Sequence, residues 1–296
     1  MASSPKVART IPMRSGEFPI SPAPGKIARI WFHPLGSPVV KIAVIAATAL
    51  SLTLAGTPAS AAAHPVKSTI LTKNKLYSAG PLPRTKCAEK PVRANNKKLA
   101  RAYINGVVAC LYRTWGPYLR KAGFTFRKPR VKHVSRIPKK YCGFDVDKSD
   151  SQAWYCDRDR TIIFQLGKSW LKEVDDLFLF QTTAQLYGIH VQELVGIWKG
   201  FEDEPYNGRG ELREQTRRAS LQTDCLGGAF LRSVWPLKGR STRDFRELLT
   251  LVQGDVQGGE RWHGRTTTVR SWIKRGFNTG NPKSCNTWTA SSSKVA

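Results

Sequence analysis

The sequence predicts an α+β domain with a mainly helical core, a small β-sheet near residues 129–166 and three disulfides. Apolar residues recur at helical spacing in four long segments after residue 95. Between the first two of these segments lie short runs rich in β-branched and aromatic residues, which are typical of strands. Six cysteines follow an apolar leader, and the chain is long enough, with 296 residues of which 41% are hydrophobic, to enclose a core.

The leader has the layout of a secretory signal peptide. The apolar run VVKIAVIAATALSLTLAG follows basic residues, and the small residues Ala59 and Ala61 come shortly after it. We therefore expect residues 1–61 to be a signal peptide and the protein to be secreted or otherwise extracytoplasmic, in the cell envelope. The alternative is a membrane-anchored protein whose leader is not cleaved, because the run is near the lower length limit for a membrane span.

The chain is strongly basic. Residues 1–61 hold six Lys or Arg and one Glu, so the remainder has 42 basic and 20 acidic residues, a formal charge of +22. Such a surface attracts polyanions without regard to their sequence, which predicts anionic envelope polymers as partners and no specific nucleic acid. A protein partner, or a basic surface that serves only solubility, is equally compatible with this charge.

After the leader, the elements follow one another without an obvious linker. Residues 62–95 are polar and aperiodic, which predicts an irregular N-terminal segment. A helix is predicted within residues 95–124, because apolar residues recur there every four positions. Alternation over residues 127–137 predicts a half-exposed strand with a basic face. The residues of this basic face are Lys128, Arg130, Lys132 and Arg136.

The second half of the chain reads as a hairpin followed by helices. The runs AWYC and TIIFQ, joined through DRDR, predict two antiparallel strands after a polar loop. A long helix is expected from Ser169 to Ile197, possibly broken near Asp175, and the segment KGFEDEPYNGRG after it is expected to be flexible. Further helices are predicted within residues 212–235, 241–257 and 261–288, and residues 291–296 are predicted to be a disordered tail.

All six cysteines lie after the leader, and no pair has the Cys-x-x-Cys spacing of a zinc ribbon or a redox site. An even number of cysteines behind an export signal predicts three disulfides. Cys142 and Cys156 bracket one polar loop and are expected to pair. Six cysteines allow 15 connectivities, so spacing leaves the remaining pairing open.

Four segments in the same order resemble the bacterial family of putative neutral zinc metallopeptidases. They are YCGFDVD with AWYCDRDRTIIF, YGIHVQELVGI, SLQTDCLGG, and HGRTTTVRSWIKRGFNTGNPKSCNTW. The resemblance implies a zincin-like domain over residues 96–290 and a zinc-dependent peptidase ancestry. It also implies the disulfides Cys142–Cys156 and Cys225–Cys285, which leaves Cys87–Cys110.

The residues that should hold zinc are absent at the matching positions. A zincin helix carries His at i and i+4 as ligands and Glu at i+1 as the base that activates the bound water. Here those positions are Gln185, Ile189 and Leu186, and Ser220 stands where the family has its third ligand. We therefore expect no catalytic residue, no metal and no cofactor at this degenerate site, although the family as a whole implies zinc.

Three functional hypotheses follow. The first is an exported, catalytically inactive homologue, a pseudoenzyme that acts as a binding or structural envelope protein through a cleft lined by Gln185, His190, Glu193, Ser220 and Asp224. The second is an active metallopeptidase with displaced ligands, in which His190 and Glu193 share a cation that Asp224 or the acids of FEDEP complete. The third is a polyanion-binding basic envelope protein. His263 lies in the shared His-Gly segment and is expected to be structural, and Asp224 is expected to hydrogen-bond Gln185 or Ser220.

Overall fold

The computed structural model describes residues 64–146, 148–172, 175–255 and 258–296. The expected signal peptide, residues 1–61, lies outside the described residues. Most of the described chain is helical, as predicted. The helices in chain order are α1 (Thr69–Thr72), α2 (Lys97–Lys121), α3 (Lys168–Leu171), α4 (Asp176–Leu194), α5 (Ile197–Asp203), α6 (Gly208–Val234), α7 (Thr242–Leu251) and α8 (Thr266–Thr279).

Two small sheets complete the fold. The larger has the order β1-β5-β4, with β1 parallel to β5 and β4 antiparallel to β5. The pairing of β4 with β5 is the predicted hairpin, and together with the helices it confirms the mixed architecture of helices and a small sheet. The strands are β1 (Arg130–Val134), β2 (Lys140–Tyr141), β3 (Phe144–Asp145), β4 (Gln152–Cys156) and β5 (Thr161–Gln165), of which β2 and β3 form the second sheet.

The core centres on α4 and α6, which are buried along most of their lengths. Glycine allows close approach at both contacts of α6. A Cβ on Gly188 of α4 would lie 3.0 Å from the Thr223 carbonyl oxygen, and one on Gly276 of α8 would overlap the Cys225 carbonyl oxygen. The three helices therefore pack backbone against backbone, which fixes how residues on α4 face residues on α6.

Three disulfides join distant parts of the described chain, in the pairs that the resemblance implies. Cys87–Cys110 ties the N-terminal segment to α2, Cys142–Cys156 ties the β2–β3 region to β4, and Cys225–Cys285 ties α6 to the C-terminal segment. A disulfide of this kind typically stabilises a fold by about 2–4 kcal/mol.

The expected long helix from Ser169 to Ile197 is interrupted. It is divided into α3 and α4, and the Asp175 side chain caps α4 by accepting a hydrogen bond from the Phe178 backbone N–H at 2.8 Å. The break near Asp175 is thus a helix start, because an Asp with extended backbone satisfies an N–H that the first turn leaves free. The region expected to be flexible is partly helical, since α5 extends through Asp203.

Both ends of the described chain are better ordered than the sequence suggested. The N-terminal segment is mostly irregular, but Leu71 and Leu76 are fully buried in the main core. The predicted disordered tail is wrong: Ser292–Val295 form a 3-10 helix, Val295 is fully buried, and the Trp272 indole donates to the Lys294 carbonyl at 2.9 Å. A short polar sequence concealed one apolar anchor and its hydrogen bonds to α8.

Candidate functional site

The four degenerate positions lie together on the facing sides of α4 and α6. Leu186 and Ile189 are 3% and 9% exposed and belong to the main core. Gln185 is half-buried and donates through Nε2 to Thr223 Oγ1 at 3.3 Å, and Thr223 Oγ1 donates to the Ser220 carbonyl at 2.7 Å. The positions that would surround a metal are therefore occupied by packed hydrocarbon and by side chains that bond to one another.

Ser220 has a partner that sequence reasoning did not identify. Its Oγ lies 3.2 Å from Nδ1 of His263, which is on the loop before α8. Asp255 holds this loop, because its Oδ2 accepts hydrogen bonds from the backbone N–H groups of His263 and Gly264, both at 2.7 Å. His263 thus borders the degenerate site, and its place in the shared His-Gly segment was the signal that could have shown it.

His190 points away from this site. Its ring is fully buried, Nε2 lies 2.7 Å from the Arg127 carbonyl, and Nδ1 lies 2.9 Å from the Tyr155 hydroxyl. Since a carbonyl can only accept, Nε2 carries the proton and Nδ1 accepts from Tyr155. Burial lowers the pKa of His190 and favours this neutral ring.

Glu193 is also engaged elsewhere. Both of its carboxylate oxygens accept from Arg160 Nε, at 2.9 and 3.1 Å, and one lies 2.9 Å from another Arg160 guanidinium nitrogen. One oxygen is 4.0 Å from Nδ1 of His190. His190 and Glu193 therefore form a structural cluster with the sheet, and the structure does not bring Asp224 to them.

Asp224 lies on the opposite side of α4, against α6, and is 4% exposed. Its expected hydrogen bonds to Gln185 and Ser220 are not formed, because those side chains bond to Thr223 and His263. Burial raises the pKa of the Asp224 carboxyl well above its ordinary value, and no second influence on it is resolved. This residue lines a small cavity that is treated below.

The residues at the degenerate site do not fit zinc. Catalytic zinc takes three protein ligands from His, Cys, Asp and Glu, and the site offers one imidazole, that of His263, beside an amide and an alcohol. Leu186 and Ile189 have no lone pair to donate. Within the described ranges the one group of three ligand-type residues is Cys142, Cys156 and Asp157, whose cysteines are joined in a disulfide.

The predicted basic face is present on the sheet. β1 is an edge strand, and its outward residues alternate with half-buried ones. Because the strand pairs through one edge only, its other edge and its basic side chains face solvent. The four exposed cations are Lys128, Arg130, Lys132 and Arg136.

Comparisons with known proteins agree with the motifs. A family model described as "Putative neutral zinc metallopeptidase" matches residues 67–288. Proteins called "Uncharacterized protein YpfJ" from Escherichia coli strain K12 and from Escherichia coli O6:H1 are each 28% identical over 211 residues, which cover 65% of this chain and 73% of the relative. No solved structure matches the chain. No helix of the described segments is long and apolar enough to cross a membrane.

Proposed function

The chain belongs to the putative neutral zinc metallopeptidase family, and we propose that it is a catalytically inactive member that acts as a binding or structural protein of the cell envelope. One observation carries the proposal: the side chains at the ligand and base positions have no zinc-binding chemistry, and they are already engaged. Leu186 and Ile189 pack in the core, while Gln185 and Ser220 hydrogen-bond to Thr223 and His263.

The loss of the base matters as much as the loss of the ligands. Metal-dependent peptide hydrolysis needs a bound water whose pKa falls to about 7 and a carboxylate that takes its proton. Position 186, where the family has that carboxylate, holds a leucine that is 3% exposed. Asp224 is no substitute, because burial raises the pKa of its carboxyl and favours the protonated acid.

A zincin-like arrangement is part of the proposal. The close contact of Gly188 with Thr223 sets α4 against α6, so that positions 185 and 220 face each other across the helix pair. A metallopeptidase needs this geometry to gather ligands from two helices. In our interpretation the scaffold is kept and the chemistry is lost, and the filled cleft favours a structural or partner-binding role.

An extracytoplasmic location is consistent with the disulfides. Three disulfides and no free cysteine within the described segments suit an oxidising compartment, because cytosolic thiols are normally kept reduced. The export leader expected over residues 1–61 would deliver the chain there.

Metal analysis of the purified protein tests the proposal. We expect less than stoichiometric zinc after dialysis and no cleavage of casein, with or without added zinc. As a positive control, the variant Gln185→His/Leu186→Glu/Ile189→His/Ser220→Glu should gain tight zinc binding, provided that its near-ultraviolet circular dichroism shows a folded core. Stoichiometric zinc in the natural protein, removable by chelators together with peptidase activity, would refute the proposal and favour displaced ligands.

A second candidate function, polyanion binding, is favoured by the exposed cations on β1 and by the +22 charge of the chain after residue 61. Retention on heparin should fall steeply with salt, because bound counterions are released. Changing the four cations of the basic face to Gln should lower the eluting salt concentration more than changing four exposed lysines elsewhere. The matched control lysines are Lys73, Lys238, Lys274 and Lys283.

A further inference from the structure

A small cavity lies where α4 faces α6, the end of α7 and α8. Its apolar walls come from Phe178, Val252 and Ile273, and its polar side chains include Gln181, Gln185 and Asp224. The volume is about 20 Å³, which is room for one atom or group the size of a water molecule. Phe178 and Gln185 are half-buried and mark its solvent side.

Two buried polar groups that line this cavity lack partners. Gln181 is 4% exposed, and its Oε1 has no hydrogen-bond partner within the described residues. Its Nε2 donates to the Asp224 backbone carbonyl at 3.3 Å, which identifies the amide oxygen as the free end. The Asp224 carboxyl is equally buried, with desolvation as the one influence resolved on it.

We propose that this cavity binds a small monovalent cation, held by the carboxylate of Asp224 and the amide oxygen of Gln181. A buried carboxylate without a counter-charge is costly, and an unpartnered buried amide oxygen adds to that cost. A cation between them would satisfy both groups at once, whereas one water molecule could offer hydrogen bonds but no charge.

The donor set selects the class of ligand. Carboxylate and amide oxygens suit hard cations rather than zinc or copper. Calcium takes six to eight oxygen ligands, and magnesium requires an octahedron that usually keeps several waters. A cavity with room for one water-sized group and with one carboxylate supplies neither, so its single negative charge matches a single positive one.

The ligand chemistry has two sources, a dehydrated alkali metal ion and a primary ammonium group. An ammonium group would donate hydrogen bonds to the same two oxygens, and the apolar walls would contact the carbon attached to it. The inference does not depend on the loss of zinc, because Asp224 and Gln181 are not at the family's ligand positions.

Thermal unfolding of the full chain at equal ionic strength in sodium, potassium, ammonium, methylammonium and choline chloride tests this proposal. We expect Tm to rise by about 2–4 °C in at least one small cation relative to choline, which is too large for the cavity. A shift in sodium or potassium identifies a metal ion, and a shift confined to ammonium and methylammonium identifies an ammonium group. Identical curves in all five salts would overturn the proposal.

Variants assign the effect to the cavity. Asp224→Asn, which keeps the shape of the acid, should abolish the cation-dependent shift, and Gln181→Met should reduce it. Asp203→Asn, at an exposed surface carboxylate, should leave it unchanged. If Asp224→Asn keeps the full shift, the ion binds elsewhere and the inference fails.

A direct measurement does not depend on the variants folding. Crystals of the natural protein soaked in rubidium or thallium chloride should show an anomalous peak in the cavity if a metal ion binds, and bromoethylammonium should place its bromine at the cavity mouth if an ammonium group binds. Density for water alone under all these conditions would refute the proposal.

Discussion

The two sides of helix α4 bury polar groups in different ways. On the side facing the sheet, both ring nitrogens of His190 have partners, and Glu193 is paired with Arg160. On the side facing α6, the Asp224 carboxyl and Gln181 Oε1 are just as deep but lack partners. The first set of groups holds the fold together, while the second weakens it unless something outside the chain binds.

Removing the paired group should have the largest effect. His190→Ala would leave the Tyr155 hydroxyl and the Arg127 carbonyl without partners around a new cavity, so we expect a loss of about 3–4 kcal/mol in the free energy of unfolding. Urea denaturation measures this loss. Gln185→Ala, at a half-buried position on the other side, should cost less than about 1 kcal/mol.

The same variant should also change the pH dependence. Burial lowers the pKa of His190, so the unfolded chain binds a proton below pH 6.5 that the folded chain does not. The stability of the natural protein should therefore fall as the pH drops through this value, and His190→Ala should lack that part of the decline. Equal slopes in the two proteins would contradict the structural assignment of His190.

The contact between the helices should be next in magnitude. Gly188→Ala places a Cβ 3.0 Å from the Thr223 carbonyl oxygen and should destabilise the fold by about 1–3 kcal/mol by forcing α4 and α6 apart. Gly210→Ala is the matched control, because a Cβ there meets nothing within 4 Å and should add about 0.5 kcal/mol through helix propensity. A neutral Gly188→Ala would mean that the helices are not held this close.

Asp224→Asn should stabilise the protein when no small cation is present. It removes the buried acid while keeping its shape, and we expect a gain of about 1 kcal/mol at pH 7 in choline chloride, the order of the cost of one unsatisfied buried group. The folded pKa of Asp224 is raised, so the stability of the natural protein should fall as the pH rises above 3.8, and the variant should lack this fall. Calorimetry across pH measures both. Destabilisation at every pH would show that the carboxylate has a partner within the protein.

The smallest effect is expected at the edge of the paired side. Glu193→Gln would weaken its ion pair with Arg160, whose side chain is 37% exposed, and should cost about 0.5 kcal/mol at low salt. In 1 M salt the difference should nearly vanish, because solvent ions screen the pair. A loss above about 2 kcal/mol that persists in salt would assign Glu193 a buried structural role.

Local sequence patterns predicted much of the fold. The period of the apolar residues gave α2 and α6 nearly to their ends, and the aromatic and β-branched run predicted the β4–β5 hairpin. These elements depend on short-range periodicity, which a single sequence displays. The disulfide pairing came from family resemblance, because cysteine spacing carries no information on which thiols meet in space.

The site was only half predictable. The missing ligands at positions 185, 186, 189 and 220 could be read from the motif, since each is a change of residue type. The contact of Ser220 with His263 and the lack of partners for Gln181 and Asp224 could not, because they depend on how α4, α6 and the loop before α8 meet. The buried Val295 was concealed for the same reason, since one apolar residue in a polar tail has no period.

The outer edge of β1 has a consequence for handling the protein. An unpaired strand edge offers N–H and carbonyl groups to any second strand, and charged side chains are a common defence against such association. In this chain Arg130 and Lys132 provide that defence. Neutralising them, by acetylation of the lysine or by the Gln substitutions in the heparin experiment, is expected to promote dimers or aggregates that size-exclusion chromatography would reveal.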